Sequence, residues 1–166
     1  MRSNSKLTEA AIRLYHNLFD DKGDLRFEGY VMPRVLVVDD DPMVGLTIEV
    51  CLQRHGFEVI VTDGGEAGIA ALEASIFDAM LVDIFMPHMR GFESIRVFHE
   101  RAPATPLIAM SGYAFAQTAS PSPDFLRMAL ELGATRCLRK PFTPRTLLAA
   151  VNECLANPTA TARSSK

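Results

Sequence analysis

Apolar residues in this chain gather in short runs that end at an acid or a turn, and between the runs they recur three or four apart. The clearest run is Phe77 to Val82, with Asp78 as its one charge, closed by Asp83 and bounded by Pro87 and Gly91. It is too short for a helix, and continuous apolar character suits a strand covered on both faces of a parallel sheet. Val35 to Val38 is a second such run, ending in Asp39 and Asp40. Phe57–Val61, Pro106–Met110 and Arg136–Arg139 supply three more predicted strands.

Helical spacing fills the intervals. Asp41 before Pro42 predicts an N-cap and a first helical residue. Val44, Ile48, Cys51 and Leu52 then face inward as far as Arg54, with Gly56 as the stop. Asp63 with Glu66 is a capping-box pattern ahead of an alanine-rich helix. Gly91 to Glu100 carries Phe92, Ile95 and Phe98 on one side, and Phe125–Leu132 closes at Gly133. Thr143-Pro144 opens a last helix with Leu147, Leu148, Val151 and Leu155 along one face. Five strands alternating with five helices predict an α/β, doubly wound, five-stranded parallel sheet, because right-handed crossovers place helices on both faces.

Two segments lie outside the alternation. Residues 1–33 carry Leu7, Ala11, Leu14 and Leu18 at helical spacing beside Ile12, Tyr15 and Phe19, which predicts an N-terminal amphipathic helix. Asp20 to Asp24 follows as a turn; the glycine and terminal glutamate that a calcium loop needs are out of register. The organisation expected is a helical extension over 1–33, one domain over 34–156 and a polar tail over 157–166. The apolar stripe of the extension offers roughly 1.5–3 kcal/mol per buried side chain, so it is expected to dock. A homodimer contact through this helix is the preferred expectation, with packing on its own domain as the alternative.

Composition narrows the function. With 166 residues, 48% of them hydrophobic, and a net charge of -3, the chain has the make-up of a globular domain without a basic footprint, so direct nucleic-acid binding has no support. No apolar run is long enough to span a bilayer. Cys51, Cys137 and Cys154 are odd in number and lack metal-type spacing, which points to a reducing cytoplasm. His16, His55, His88 and His99 show no ligand spacing and are read as surface or core residues.

Chemistry gathers where the strands end. In an open α/β sheet the carboxyl edge is the ligand-binding edge, and it receives Asp39 and Asp40 from the first strand, Asp83 from the third, Ser111 from the fourth and Lys140 from the fifth. Close carboxylates repel by several kcal/mol per pair at an effective dielectric of ~20. A divalent oxygen-loving cation relieves that repulsion, and Mg2+ suits a site of few protein oxygens. Lys140 adds a mobile positive charge and Ser111 a hydroxyl. The set describes a pocket for a phosphoryl group carried on a carboxylate oxygen, with Asp83 as the best-held nucleophile.

Val37-Val38-Asp39-Asp40-Asp41-Pro42, Leu81-Val82-Asp83-Ile84-Phe85-Met86-Pro87, Met110-Ser111-Gly112-Tyr113 and Leu138-Arg139-Lys140-Pro141-Phe142 resemble, in order, the motifs of the receiver domain of two-component response regulators of the chemotaxis-regulator type. The resemblance covers residues 34–156. It implies the flavodoxin-like receiver fold, with Asp83 as phosphoacceptor and Mg2+ held by Asp40, Asp83 and the Phe85 carbonyl, with Asp39 acting through water. It further implies that Ser111 and Lys140 contact the phosphoryl oxygens and that Lys140-Pro141 is a cis peptide. The donor would be a histidine kinase or a histidine phosphotransfer protein. Because no output domain follows Leu155, output is expected through contact with a downstream protein, not by substrate turnover.

Departures from the family pattern shape the remaining expectations. The residue three before the lysine, usually aromatic, is Cys137, so the customary inward swing of that side chain is replaced. Tyr113 or residues 114–124 are expected to move when Ser111 engages phosphate. Arg90 stands where an acid is common, and Ser120-Pro121-Ser122-Pro123 lengthens the loop after Ser111. Two other functions share part of this residue set. An aspartyl-nucleophile phosphatase of haloacid dehalogenase type would need Asp-x-Asp-x-Thr on the first strand, but Met43 replaces the threonine. A degenerate receiver serving only as a docking module would not need the intact acid cluster.

Overall fold

The computed structural model describes residues 32–87, 89, 92–112 and 125–156. The expected N-terminal helix, Tyr113, the 114–124 stretch and the polar tail lie outside the described residues. The order is β1 (Arg34–Val38), α1 (Pro42–Gln53), β2 (Glu58–Thr62), α2 (Gly65–Ala74), β3 (Ala79–Asp83), α3 (Glu93–Arg101), β4 (Leu107–Ser111), α4 (Phe125–Glu131), β5 (Arg136–Arg139) and α5 (Pro144–Ala156). The strands form one sheet in the order β2-β1-β3-β4-β5, and every pair is parallel. This is the doubly wound sheet that the alternation predicts. The acid-ended run Phe77–Asp83 supplies its central strand, buried along its whole length.

Side chains alternate between the two faces as a period of two requires. Val35, Val37, Leu81, Ile108, Met110 and Leu138 point to one face, where they pack with Ile48 and Leu52 of α1 and Leu147, Val151 and Cys154 of α5. Leu36, Val38, Met80, Val82, Leu107 and Ala109 point to the other, against Ile95 and Phe98 of α3 and Ala129 of α4, with Ile69 and Leu72 of α2 at its edge. Coverage on both faces explains why β1 and β3 read as unbroken apolar runs.

The helix starts obey the expected chemistry in two cases and depart from it in one. Asp41 caps α1, its Oδ1 accepting the N–H groups of Met43 at 2.8 Å and Val44 at 3.4 Å, with Pro42 at the first helical position. Thr143 caps α5, its Oγ1 accepting the Thr146 N–H at 3.2 Å. The Asp63–Glu66 capping box does not form: α2 begins at Gly65, Gly64 holds the cap position, and no side chain caps it. That later start moves Glu66 to the second helical residue, out of reach of a reciprocal cap. Close approach explains the glycines of this helix. A Cβ on Gly68 would lie 2.8 Å from both Val38 Cγ2 and Phe98 Cζ, and one on Gly65 would collide with the Met89 side chain.

Smaller differences concern ends. β2 runs Glu58–Thr62, and Phe57 instead completes the turn after α1, its N–H donating to Leu52 O at 3.2 Å. Gly56 permits that turn with φ 84°. At β4 the strand extends through Ser111, which moves this residue from the following loop into the sheet.

Gly68→Ala tests the α2–sheet contact. Alanine favours an isolated helix by about 0.8–1.0 kcal/mol over glycine, but overpacking costs about 1–3 kcal/mol. Urea unfolding is expected to show a net loss of stability; a gain would mean that the helix does not sit this close to Val38 and Phe98.

Candidate functional site

Each strand end places its polar residue by continuing the sheet's hydrogen bonds one step. Asp39 follows β1 and its N–H still donates to Thr62 O at 3.1 Å, which keeps the side chain turned into the protein with 2% of the residue exposed. Asp40, next along, is exposed. Asp83 is the last residue of β3, opposite Met110 in register, and is 6% exposed. Ile84 N–H donates to Met110 O at 3.0 Å, so the ladder continues past it. Ser111 ends β4 half-buried, paired with Arg139, and its carbonyl accepts the Lys140 N–H at 2.7 Å. That bond anchors the backbone of Lys140, and the Lys140-Pro141 peptide is cis, as the resemblance implied.

Lys140 closes the group. Its Nζ donates to Asp39 Oδ2 at 2.6 Å and to Asp83 Oδ2 at 2.9 Å. The other oxygens take backbone donors: Asp39 Oδ1 accepts the Asp41 N–H at 3.0 Å, and Asp83 Oδ1 accepts the Phe85 N–H at 3.2 Å. Burial pushes the Lys140 ammonium down, but its hydrogen bonds and proximity to the two carboxylates more than offset this and raise it above its ordinary value. Burial raises the Asp39 carboxyl, and the Lys140 and Asp41 donors do not fully reverse it. Both directions have one origin, a water-poor pocket in which, among the described residues, carboxylates outnumber cations.

One carboxylate oxygen from each of Asp39, Asp40 and Asp83 lies within 4.8 Å of the others. A donor set made of oxygen alone fits a hard divalent cation and offers nothing to a metal that prefers nitrogen or sulfur. The residues expected from sequence to share a site, Asp39, Asp40, Asp83, Ser111 and Lys140, all reach this edge. Phe85 is half-buried beside it. Cys137 does not reach it: it lies opposite Ala109 within the sheet, in the layer that contains α3 and α4. Burial raises its thiol to about 11, so it stays protonated at neutral pH. Tyr113 lies outside the described residues.

Two surfaces beside the site escape sequence reasoning. A groove of about 390 Å³ runs between α1 and the turn after β5, lined by Met43, Val44, Thr47, Ile48, Lys140, Pro141 and Phe142. Next to it α1 exposes Met43, Leu46 and Val50 at 66%, 49% and 41%. On the other side a cleft of about 540 Å³ carries Asp40, Asp63 and Glu66 on its rim. Asp63 and Glu66, which the sequence pattern pairs as a cap, line this cleft instead. The exposed spacing of Met43, Leu46 and Val50 was the available signal for the first surface.

A parallel five-stranded sheet with an acid cluster, a hydroxyl and a lysine at its carboxyl edge defines a receiver. The chain belongs to the response regulator receiver domain family, which matches residues 35–152. It is 33% identical over 119 residues to the cell cycle response regulator CtrA of Brucella ovis, a match covering 72% of this chain and 48% of the relative. The chain thus spans about half the length of the curated relatives it matches. Among solved structures it resembles a CheY-like receiver domain protein from Methanospirillum hungatei, with a TM-score of 0.69 and 30% identity over 77% of this chain and 97% of the other. Vibrio cholerae CheY4 is similar, with a TM-score of 0.64 and 30% identity over 74% and 98%. Receiver domains are signalling domains of two-component systems, so the fold and class expected from the motifs are those found.

The raised Asp39 carboxyl has a definite sign in stability. Between its ordinary value of 3.8 and its higher folded value, the folded chain binds more protons at this site than the unfolded chain. Asp39 therefore contributes a loss of stability that develops as pH rises through that window and persists above it. Asp39→Asn removes that loss. In metal-free buffer, urea unfolding of the two proteins should show the variant gaining on the wild type as pH rises from about 4, with the gap then constant. A gap that ignores pH, or one that favours the wild type as pH rises, contradicts this account.

Proposed function

We propose that this receiver accepts a phosphoryl group on Asp83 from a phosphohistidine of a histidine kinase or histidine phosphotransfer protein. The observation that carries the choice of acceptor is the difference in access between the two buried acids. The Asp83 side chain keeps 9% exposure, whereas that of Asp39 is fully enclosed at 0%. An incoming phosphorus atom must reach the attacking oxygen in line with its leaving group, and Asp83 is the buried carboxylate that offers such access.

In this reading Asp40, Asp83 and the Phe85 carbonyl would hold Mg2+, with Asp39 acting through water, and the ion would supply positive charge to the oxygens of the transferring group. Ser111 and Lys140 donate to the same phosphoryl oxygens, Ser111 from the end of β4 and Lys140 from the turn after β5. The Phe85 N–H, already on Asp83 Oδ1, orients the carboxylate so that Oδ2 faces the pocket. Asp41 remains a cap. Met43 lines the groove beside the pocket and Leu46 and Val50 are exposed on the same helix, and a protein donor would cover them as its histidine approaches Asp83. The three free thiols suit the cytoplasm. Output would pass to a downstream protein, and the chain would act as a switch, without turnover of a substrate.

One labelling experiment separates the parts of this reading. With a small acyl phosphate and Mg2+, the wild type should take up one phosphoryl group, and Asp83→Asn or a chelator should abolish it. Leu46→Glu should label normally with the small donor and at least about tenfold more slowly with the cognate phosphohistidine protein, equivalent to about 1.4 kcal/mol. Labelling that survives in Asp83→Asn rejects the acceptor; transfer from the phosphohistidine protein to Leu46→Glu at the wild-type rate rejects the docking face.

A further inference from the structure

The Asp39 side chain cannot correct its own position. It is fully enclosed at 0% exposure, and both of its oxygens are held, Oδ1 by the Asp41 N–H and Oδ2 by Lys140. Where its carboxylate sits therefore follows where its backbone sits. On the β2 side that backbone is held by a strand end: the Asp39 N–H donates to Thr62 O at 3.1 Å. Thr62 is the last residue of β2, an edge strand that has β1 as its single neighbour among the described residues. The chain beyond it offers little support, because Gly64 stands at the start of α2 without a side-chain cap. Chain ends held from one side are the first to fray. Thr62 counters this with its side chain, whose Oγ1 donates to Val37 O at 3.2 Å. Val37 lies two residues before Asp39, so one threonine grips β1 at two points, by its carbonyl and by its hydroxyl.

We propose that Thr62 is a positioning residue for the acid pocket: its hydroxyl clamps the end of β2 onto β1 and so fixes the backbone that sets the Asp39 carboxylate. Valine would suit a strand at this position as well as threonine does, so what threonine adds is the hydroxyl. Thr62 is not itself a ligand. It acts through Asp39, whose carboxylate must keep its place beside those of Asp40 and Asp83 if the three are to serve one divalent ion and its water. Partners one step removed from the ligands ordinarily tune metal affinity in this way, by orientation and not by added charge. The inference deepens the phosphoacceptor reading and rests on it for the part that Asp39 plays at the metal.

The test needs no phosphodonor, so its failure is distinct from a failure of the labelling experiment. Amide hydrogen exchange in chelator, and amide shifts during a Mg2+ titration, are followed by NMR in the wild type, Thr62→Val and Thr62→Ser. One hydrogen bond is worth about a two- to tenfold change in an equilibrium. In Thr62→Val the Asp39 amide should therefore exchange at least about threefold faster, and Mg2+ should bind at least about threefold more weakly. Serine keeps the hydroxyl and should restore both. A role confined to overall stability would speed the amide of Val151, buried in α5, as much as that of Asp39, and would leave Mg2+ binding by the folded protein unchanged. Thr62→Ala repeats the removal of the hydroxyl should the valine variant not fold. Wild-type exchange at Asp39 or wild-type Mg2+ affinity in the folded valine or alanine variant, equal acceleration at Val151, or a serine variant that behaves like valine would overturn the proposal.

Discussion

Mutual repulsion of carboxylates at one strand edge is the constraint on which the site depends. Asp39 and Asp83 are almost wholly removed from water, and Asp40 stands beside them. Water alone cannot screen such a group, because the sheet and its helices exclude it. The arrangement persists because Lys140 places a single ammonium between the two buried members, 2.6 and 2.9 Å from them. Breaking one partner of a buried charge group leaves the other uncompensated, which ordinarily costs more than the pair contributes. The cluster therefore behaves as a unit, and a change at any of its residues is felt by the rest.

That unit exists only because the sheet is in register. β1 and β3 are neighbours, with Val38 opposite Val82, so the residues that follow them, Asp39 and Asp83, arrive side by side. β4 and β5 continue the row, with Ser111 opposite Arg139, so the next residue, Lys140, projects from the same edge. A slip of one residue in any pair would turn the strand's apolar residues toward the wrong layer. The core layers and the site thus protect one another: the packing that buries Val35, Val37, Leu36 and Val38 also sets where the acids fall. Gly68 serves the same end from outside, letting α2 approach Val38 within a distance that no larger residue allows.

Function follows from how unevenly the edge is covered. The Asp39 side chain is sealed, that of Asp83 retains a narrow opening, and Asp40 is open to solvent. An apolar groove borders the pocket on the α1 side and an acidic cleft on the α2 side. Asp83 therefore lies between surfaces of opposite character. Cys137, by contrast, lies away from this edge and stays neutral, so it has no part in the charge balance of the pocket.

Read by itself, the chain determined a good deal. Continuous apolar runs ending in acids revealed the strands and the edge, because burial on both faces leaves no polar alternative. Asp41-Pro42 and Thr143-Pro144 revealed two helix starts, because capping is decided by a few adjacent residues. The motifs around Asp39, Asp83, Ser111 and Lys140 revealed the family. What is local in the chain was legible; what depends on distance in space was not. The Asp63–Glu66 pattern promised a cap, but α2 begins at Gly65 with Gly64 at the cap position, and Gly65 and Gly68 pack closely against Met89, Val38 and Phe98. The groove beside α1 required Met43 and Phe142, remote in sequence, to face each other. Above all, Lys140 was expected to serve the phosphoryl group, and only the folded chain shows it holding Asp39 and Asp83. Those partners lie 101 and 57 residues away, and the order and register of five strands, which no local pattern encodes, bring them within hydrogen-bond distance.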